Sequence, residues 1–380
     1  MKYTNAYFFI NGTFTYGTLE VGDDKRIIGF EEGVRLDPGP GDFCAKCGCA
    51  VHDLKGAYVI PGCIDVHTHG NSGCDFSDGD YNSLFIMAKY LRSHGVTSFA
   101  PASMTLPYDV LSKAYKSAKK LHDEMPADCA RLMGINMEGP FFSVKKKGAQ
   151  NEAYLRNPDF EAFKKLNDEC GGLIKIVDFA PELEGSEEFV EQASKICTVS
   201  VAHTDATYDE AKAAFDKGAT HLTHLYNAMP GIHHRNPGVI GAASENEAVT
   251  AELICDGQHV HESAVRMGFK LFPGRICLIS DSLRCCGMPD GKYELGGQDV
   301  WLKDNIAKLA DGTIAGSAAN LFECMRNAIR FGIKKEDAII AATLTPAKEL
   351  GVENEVGQLA PGCYADMLVC DEELNLIEVI

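Results

Sequence analysis

Short apolar runs alternate with amphipathic helical stretches from Tyr58 to about residue 281. This alternation is typical of βα units, in which parallel strands are followed by helices. The strand candidates are residues 59–67, 96–101, 131–137, 173–179, 197–202, 219–225, 249–254 and 275–280. The helical stretches between them are 82–93, 108–124, 159–170, 187–195, 208–217 and 263–271. Eight strands predict an α/β fold of the (β/α)8 TIM-like barrel type. A doubly wound sheet also fits the alternation, although it usually contains fewer strands.

The two ends of the chain have β-like patterns of their own. Asn11-Gly12 separates two aromatic, β-prone runs and predicts a hairpin. The stretch after residue 281 contains the β-like pieces GKYELGG and DVWL, then helical patterns at 320–331 and 335–350, and the tail GQLAPGCYADMLVCD is β-like again. We therefore expect the ends, residues 1–57 and 352–380, to form one small β domain beside a barrel domain of residues 58–351.

The charge balance excludes two classes of partner. The 380 residues contain 36 basic and 54 acidic side chains, a net charge of −18. A surface this acidic repels nucleic acid and anionic membranes, so we expect neither as a partner. An anionic small molecule remains compatible with the sequence, because a local basic site can oppose the global field.

The cysteines and the hydropathy pattern predict a cytoplasmic protein. Fifteen cysteines with scattered spacing, in a chain too large to need disulfides for stability, indicate reduced thiols. The N-terminus lacks a long apolar segment typical of a signal peptide, and no run of 18 apolar residues occurs in the sequence.

Polar side chains with metal-binding chemistry cluster at the ends of the predicted strands. In a (β/α)8 barrel these ends converge on one mouth, where the active sites of such proteins lie. The residues concerned are His67, His69, Glu138, His203, His224 and Asp281. Several imidazoles with two carboxylates suit a divalent cation such as Zn²⁺ or Fe²⁺. His67 and His69 are two residues apart, so on a strand they point the same way, as joint ligands must.

Other polar motifs carry weaker signals. Cys44, Cys47 and Cys49 with His52 resemble half of a zinc site, but a second spaced pair is lacking and free thiols in a loop are the simpler interpretation. The run Lys145-Lys146-Lys147 is more typical of a solvated loop than of a phosphate site. His221 lies three residues before His224, so we expect it to face away from the mouth and to pack in the core. No P-loop or dinucleotide fingerprint follows any predicted strand.

Six segments carry a family resemblance. They are PGCIDVHTHG (61–70), MEGPFF (137–142), AHTDAT (202–207), HLYNAMPGIHHRNPG (224–238), CDGQHV (255–260) and ISDS (279–282). Together they resemble the N-acetylglucosamine-6-phosphate deacetylases, members of the amidohydrolase superfamily of metal-dependent barrel hydrolases. The HLYNAM run with its following Arg is specific to these deacetylases, whereas H-x-H alone marks only the superfamily. The resemblance extends from about Tyr58 to the GQLAPGCYADMLV tail.

The resemblance implies a fold, an activity and roles for individual residues. It implies a barrel with a small β-sandwich built from both termini, a homodimer, and removal of acetate from N-acetyl-D-glucosamine 6-phosphate in amino-sugar catabolism. The metal ligands of the principal site would be Glu138, His203 and His224, and Asp281 would be the catalytic acid and base. The substrate contacts would be Ala149, Gln150, Asn227, Ala228, Arg235, His259, Ile314, Ala315 and Gly316, with Arg235 and His259 on the phosphate.

This sequence departs from the pattern of relatives at three places. One of them is the CAKCGC insert before the first barrel strand, which has no counterpart in the family. Some relatives have His where this chain has Gln150, which does not titrate. Others have lost one or both histidines of the first strand, whereas His67 and His69 are both retained here, which allows a second metal ion.

Three other functions fit parts of the pattern. The galactosamine epimer would use the same site, and the sequence does not separate the two sugars. Another amidase of the superfamily, such as a cyclic amidase or an amino-acid deacylase, would not need the phosphate contacts. A non-catalytic binding barrel would be expected to have lost metal ligands, yet all six polar residues at the strand ends are intact.

Overall fold

The computed structural model describes residues 1–37, 43 and 49–380. The chain opens with five strands of one mixed sheet. They are β1 (Lys2–Ile10), β2 (Thr13–Val21), β3 (Ile27–Glu32), β4 (Val51–Asp53) and β5 (Tyr58–Pro61). In this sheet β1, β2 and β3 pair antiparallel, and β4 and β5 pair with β1 in parallel. The predicted hairpin joins β1 to β2 at Asn11 and Gly12, which both have positive φ, 49° and 83°. Asn-Gly tolerates this left-handed backbone better than other residue pairs, so the hairpin prediction is confirmed.

The middle of the chain forms two parallel sheets. Their strands, with two short strands that pair with each other, are β6 (Cys63–Thr68), β7 (Gly70–Asn71), β8 (Cys74–Asp75), β9 (Val96–Pro101), β10 (Arg131–Leu132), β11 (Ile135–Phe141), β12 (Ile174–Phe179), β13 (Thr198–Val201), β14 (His221–Leu222), β15 (Thr250–Ile254) and β16 (Ile276–Ile279). One sheet has the order β10-β9-β6 and the other runs from β11 to β16 in chain order. Every residue of β6, β9 and β11 is buried, as expected for parallel strands covered on both faces.

Helices follow most of these strands, as the alternation predicted. They are α1 (Tyr81–Ser93), α2 (Tyr108–Glu124), α3 (Phe160–Glu169), α4 (Ser186–Ala193), α5 (Tyr208–Asp216), α6 (Gly238–Glu245) and α7 (Glu262–Leu271). Only α6 was not predicted. Its sequence GVIGAASE contains two glycines and almost no polar residues, so the amphipathic period that identifies a helix is missing.

The first predicted strand, residues 59–67, is two strands. β5 pairs with β1 near the chain terminus, whereas β6 pairs with β9 in the parallel sheet. Gly62 separates them. A Cβ atom at this position would lie 1.9 Å from Thr97 Oγ1, so the close approach of the backbone to β9 requires glycine.

The region after β16 contains an antiparallel sheet and three helices. They are β17 (Gly291–Leu295), β18 (Gln298–Lys303), β19 (Ile306–Leu309), β20 (Ile314–Ser317), α8 (Leu321–Arg330), α9 (Lys335–Ala342) and α10 (Leu344–Glu349). The helix predicted over 335–350 is divided at Thr343. Pro346 has no N–H with which to continue the hydrogen bonds of α9. The first helix therefore ends at Ala342, and α10 begins at Leu344.

Strands from both ends of the chain share one sheet. β21 (Met367–Cys370) and β22 (Leu376–Val379) extend it, giving the order β22-β21-β5-β1-β2-β3, with β4 also paired to β1. A separate apolar cluster joins the two ends and includes Phe8, Leu19, Val59, Met367 and Val369. The predicted association of the two ends of the chain is therefore observed as pairing of their strands in one sheet.

Two further observations concern the chain as a whole. No helix among the described residues is long and apolar enough to cross a membrane. The thirteen cysteines that the structure describes all carry free thiols. Cys44 and Cys47, part of the half zinc site considered above, lie outside the described residues.

Candidate active site

The polar residues at the strand ends meet in one buried cluster. His67 belongs to β6 and His69 follows it, Glu138 belongs to β11, and His203, His224 and Asp281 follow β13, β14 and β16. All of these strands are parallel, so their carboxyl ends lie on one side of the sheets and bring together residues far apart in sequence. Five of the six residues are almost completely buried, and the Asp281 side chain is 14% exposed.

Glu138 is shared between two groups of possible metal ligands. Its Oε1 lies 3.1 Å from His203 Nε2 and 3.4 Å from His224 Nε2. The same oxygen lies 3.4 Å from His67 Nε2, and Oε2 lies 3.3 Å from His69 Nε2. The ligand atoms within each group lie within 4.8 Å of one another. One carboxylate thus faces four imidazoles and belongs to both groups.

The hydrogen bonds of the imidazoles fix which nitrogen faces the cluster. In each ring Nδ1 lies 2.9–3.1 Å from an oxygen that accepts hydrogen bonds. This oxygen is the carboxylate of Glu252 for His67, and it is a backbone carbonyl for the other three rings: Ala102 for His69, Lys146 for His203 and Asn227 for His224. Nδ1 therefore carries the proton of the neutral ring, and Nε2 presents a lone pair to the cluster.

These lone pairs lack donors of their own. The Nε2 atoms of His203 and His224 are only 3.0 Å apart beside a carboxylate, and His67 Nε2 is buried without a hydrogen-bond partner. Lone pairs converging without protons between them would repel one another. A divalent cation removes this repulsion, and histidine with carboxylate is a typical donor set for Zn²⁺ or Fe²⁺. The residues present therefore fit a metal ion.

The charges of the cluster favour ionised carboxylates. Burial raises the pKa of Glu138, but when the surrounding rings carry a proton on Nε2, the charge of His67 and the hydrogen bonds from His203 and His224 outweigh the burial and hold this pKa well below the usual value. Burial acts on Asp281 in the same direction, and the facing His69 and His67 lower its pKa below the usual value. Asp281 Oδ1 lies 3.3 Å from His69 Nε2. An ionised carboxylate at this position is suited to accept a proton.

Backbone strain is concentrated at this cluster. His203, His224, Ala228 and Asp281 all have positive φ, between 32° and 51°, although none of them is glycine. Such a backbone is costly for these residues and persists only where the surrounding structure enforces it, often at functional sites.

A cavity of about 340 Å³ opens above the cluster. It is lined by predicted residues, namely His69, Glu138, Ala149, Gln150, His203, His224, Asn227, Ala228, His259, Asp281, Ile314, Ala315 and Gly316. Met104, Gly148 and Thr313 also line it and were not predicted. Met104 and Thr313 lie in loops with no titratable or metal-binding side chain of their own, and the sequence contains no signal that would have identified them.

Gln150 occupies the position at which some relatives have histidine. Its amide Nε2 donates to Glu138 Oε2 at 2.9 Å, and its Oε1 accepts from the Thr105 backbone N–H at 2.7 Å. The side chain is buried. Gln150 therefore lines the cavity, but its amide is held by the shared carboxylate.

Arg235 and His259, the predicted phosphate contacts, lie at different depths. His259 lines the cavity, and its Nδ1 lies 2.7 Å from Asp256 Oδ2. Arg235 is exposed in the loop before α6 and donates to His234 Nε2 at 2.8 Å. Arg235 is not among the residues that line the cavity of this single chain.

Comparisons with known proteins identify the family. A family model described as the amidohydrolase family matches residues 58–379. The chain belongs to the amidohydrolase family. N-acetylglucosamine-6-phosphate deacetylase from Bacillus subtilis (strain 168) is 39% identical over 85% of this chain and 83% of that protein. N-acetylgalactosamine-6-phosphate deacetylase from Escherichia coli O157:H7 is 34% identical over 87% of this chain and 88% of that protein.

Solved structures agree with this amidohydrolase assignment. A mutant N-acetyl-D-glucosamine-6-phosphate deacetylase from Mycobacterium smegmatis, in complex with N-acetyl-D-glucosamine-6-phosphate, superposes with a TM-score of 0.90 at 30% identity. The match covers 100% of this chain and 97% of that one. The resemblance inferred from the sequence motifs is confirmed.

Proposed function

We propose that this chain is a metal-dependent hydrolase that converts N-acetyl-D-glucosamine 6-phosphate to D-glucosamine 6-phosphate and acetate. The observation that carries the proposal is the convergence of four imidazole Nε2 atoms on the shared Glu138 at the base of the cavity. The N-acetylglucosamine-6-phosphate deacetylases among its relatives support the choice of substrate.

The reaction needs both a stronger electrophile and a proton carrier. A divalent cation, when bound, supplies Lewis acidity that polarises an acetamide carbonyl and eases the deprotonation of water. Asp281 would accept the proton of the attacking water at its carboxylate. It would then return this proton to the departing nitrogen as the carbon–nitrogen bond breaks, because an unprotonated amide nitrogen is a poor leaving group. The acetate leaves with the oxygen of the water.

The principal metal ion would be held by Glu138, His203 and His224. His67 and His69 would hold a second ion together with Glu138, which both groups share. We propose Zn²⁺ or Fe²⁺ because imidazole and carboxylate together suit both ions.

Replacing both His67 and His69 by Ala is expected to lower the metal content by about one ion per chain. The ion on Glu138, His203 and His224 should remain, because its three ligands are unchanged. Metal analysis of dialysed protein measures the stoichiometry directly. A double variant with the metal content of the unmodified chain would exclude the first-strand pair as a ligand set.

We propose that the substrate phosphate is bound by Arg235 and His259, and that the protein acts as a homodimer. The planar guanidinium donates two parallel hydrogen bonds that match a phosphate. Arg235 is exposed on its own chain, which is compatible with a contact to the site of a second subunit. A fully active monomer would contradict the dimer proposal.

Arg235→Ala is expected to raise KM by about 10–100-fold and to reduce the preference for phosphorylated over plain acetamido sugar. This range corresponds to the loss of a hydrogen bond to a charged group. Arg35→Ala is a suitable control, because the Arg35 side chain is mostly exposed, pairs with Asp37 in the segment after β3, and does not line the cavity above the cluster. An unchanged preference would remove Arg235 from the substrate site.

The main alternative substrate is the galactosamine epimer. The Escherichia coli relative is named for N-acetylgalactosamine 6-phosphate and is 34% identical. Parallel assays of acetate release from the two sugar phosphates and from unphosphorylated N-acetylglucosamine test the proposal. We expect the highest kcat/KM for the glucosamine compound. A higher kcat/KM for the epimer, or equal rates without phosphate, would replace the proposed substrate.

We propose a closed barrel with a small terminal β-sandwich domain, divided as residues 58–351 against 1–57 and 352–380 except that β5 (Tyr58–Pro61) pairs within the terminal sheet, which moves the first boundary to Gly62. Two isolated parallel bridges, Ala102–Asn136 and Thr68–Ser282, support a closure between the two parallel sheets. The sheet and the apolar cluster shared by both termini support the terminal domain. The cytoplasmic location stays a prediction.

A further inference from the structure

A buried chain of charged residues lies behind the proposed metal site. Glu252 belongs to β15, and its Oε2 lies 2.9 Å from His67 Nδ1. Its Oε1 lies 3.2 Å from His221 Nε2, and His221 Nδ1 lies 2.8 Å from Glu349 Oε2. His221 is the first residue of β14, whereas His67 is near the end of β6. The chain therefore runs from the starting end of the parallel strands toward the cavity.

The position of His221 agrees with the prediction that this side chain faces away from the cavity. The ring is not packed against apolar residues alone, however, because two carboxylates contact it. Both of its ring nitrogens face carboxylates, which can only accept, so both nitrogens carry protons and the ring is a cation. Burial lowers the pKa of His221, but Glu349 and Glu252 outweigh it and raise the pKa to about 10. His221 is thus a buried charge between two anions.

Glu252 accepts hydrogen bonds from both halves of the site. Its Oε2 accepts from His67 Nδ1 and also from the backbone N–H of His224 at 3.1 Å. Burial raises the pKa of Glu252, but His67 and His221 outweigh the burial and lower it far below the usual value. A backbone N–H can only donate, so the Oε2 that accepts from His224 carries no proton, and the hydrogen bond to His67 has only one direction: Nδ1 donates and Nε2 is left free for a metal ion.

A purely structural role explains this chain poorly. Burying charged groups is costly, and an ion pair in a protein core often stabilises the fold no more than apolar residues of similar size. The same parallel strands carry a buried apolar cluster that includes Ile64, Val66, Ile176 and Ile254, so the interior of these sheets accepts apolar side chains. What apolar residues do not supply is a fixed tautomer and a fixed ring orientation for His67.

We propose that Glu252 is a positioning residue of the second metal site, held in place by His221 and Glu349, and that it sets the affinity of the His67 and His69 subsite for its ion. This inference rests on the proposed metal-dependent function. It assigns no contact between Glu252 and the substrate.

The test uses Zn²⁺ as the probe and Glu252→Gln as the variant. A Gln amide facing both His67 and His221 can accept from one ring and must offer its N–H₂ to the other. Either His67 Nδ1 loses its hydrogen-bond acceptor, or the N–H of His221 Nε2 faces the N–H₂ of the Gln, so that two donors face each other. We expect the Kd of the second Zn²⁺ to rise by about 10–100-fold, as for other partners of metal-binding histidines, with little change for the first. Competition with a fluorescent chelator on metal-stripped full-length protein measures both constants.

Asp178→Asn is the matched control. Asp178 lies in β12, is equally buried, and accepts a hydrogen bond from Thr223 Oγ1 at 3.0 Å. Burial, Glu252 and Glu138 raise the pKa of Asp178 to about 8, so Asn replaces a carboxyl that is mostly protonated at neutral pH. Both Zn²⁺ constants should be unchanged in this variant. Glu349→Gln, at the partly exposed end of the chain, should raise the second Kd by a smaller factor of about 3–10.

A folded Glu252→Gln protein with both Zn²⁺ constants unchanged would overturn the inference. If this variant does not fold, the ring nitrogens of His67 in the unmodified zinc-loaded protein decide the question. Long-range ¹H–¹⁵N spectra should show a proton on Nδ1, and a proton on Nε2 would overturn the inference. Failure of the proposed function has a separate signature, because a protein that binds two Zn²⁺ but releases no acetate keeps this inference and loses the substrate.

Discussion

Asp281→Asn is expected to lower kcat by about 10²–10⁴-fold while the fold and the metal content are retained. Asn keeps the shape of the side chain but does not accept the proton of water, and positioned proton transfer contributes about this factor. The principal ligands Glu138, His203 and His224 are unchanged, so the principal ion should remain bound. Steady-state acetate release, together with metal analysis and circular dichroism on the same sample, measures the three quantities.

The competing interpretation is that Asp281 caps a turn after an apolar strand. In that case Asn would serve as well as Asp, and the rate would hardly change. The Asp281 carboxylate instead faces the metal-binding cluster, with Oδ1 3.8 Å from His67 Nε2 and 3.3 Å from His69 Nε2. Asp299→Asn, an exposed partner of Lys292, is the control. A folded, metal-loaded Asp281→Asn enzyme within about threefold of the unmodified rate would remove Asp281 from the proton path.

Glu138→Gln is expected to weaken metal binding by at least about 100-fold at both subsites and to reduce acetate release to background. The neutral amide removes the negative charge that four imidazoles surround, and it replaces one ligand oxygen by an N–H₂ group that does not bind cations. No other substitution in the cluster removes a ligand shared by both groups. Chelator competition gives the metal affinity, and the acetate assay gives the rate.

Glu245→Gln provides the matched control, because Glu245 is a surface carboxylate that accepts from Tyr208 at 2.6 Å. Its metal content and rate should equal those of the unmodified chain. If Glu138→Gln bound two ions with unchanged affinity, Glu138 would not be the bridging ligand.

The sequence predicted the elements whose signals are local. Amphipathic helices such as α1 and α2 and the short buried strand β9 were placed within one residue of their observed bounds. Elements that depend on distant contacts were missed or misplaced. The break between β5 and β6 follows from the approach of Gly62 to β9, and α6 is nearly all apolar because it is covered by neighbours.

In the site, too, the sequence predicted what depends on local signals and missed what depends on distant contacts. Histidines at strand ends are visible in the sequence, because the topology brings strand ends together. The tautomers of those histidines depend on Glu252, Ala102, Lys146 and Asn227, which come from different elements. No short sequence motif identifies these four acceptors as partners of the metal-binding histidines. Gln150 was predicted as a substrate contact from the resemblance, and only its hydrogen bond to Glu138 links it to the metal site.

The most direct test is acetate release from N-acetyl-D-glucosamine 6-phosphate by protein that is stripped of metal and then titrated with Zn²⁺ or Fe²⁺. We expect no activity without metal, a rise in kcat that follows metal occupancy, and saturation at one or two ions per chain. Activity that is unaffected by complete metal removal, or a fully metal-loaded protein that releases no acetate, would contradict the proposed metal-dependent deacetylation.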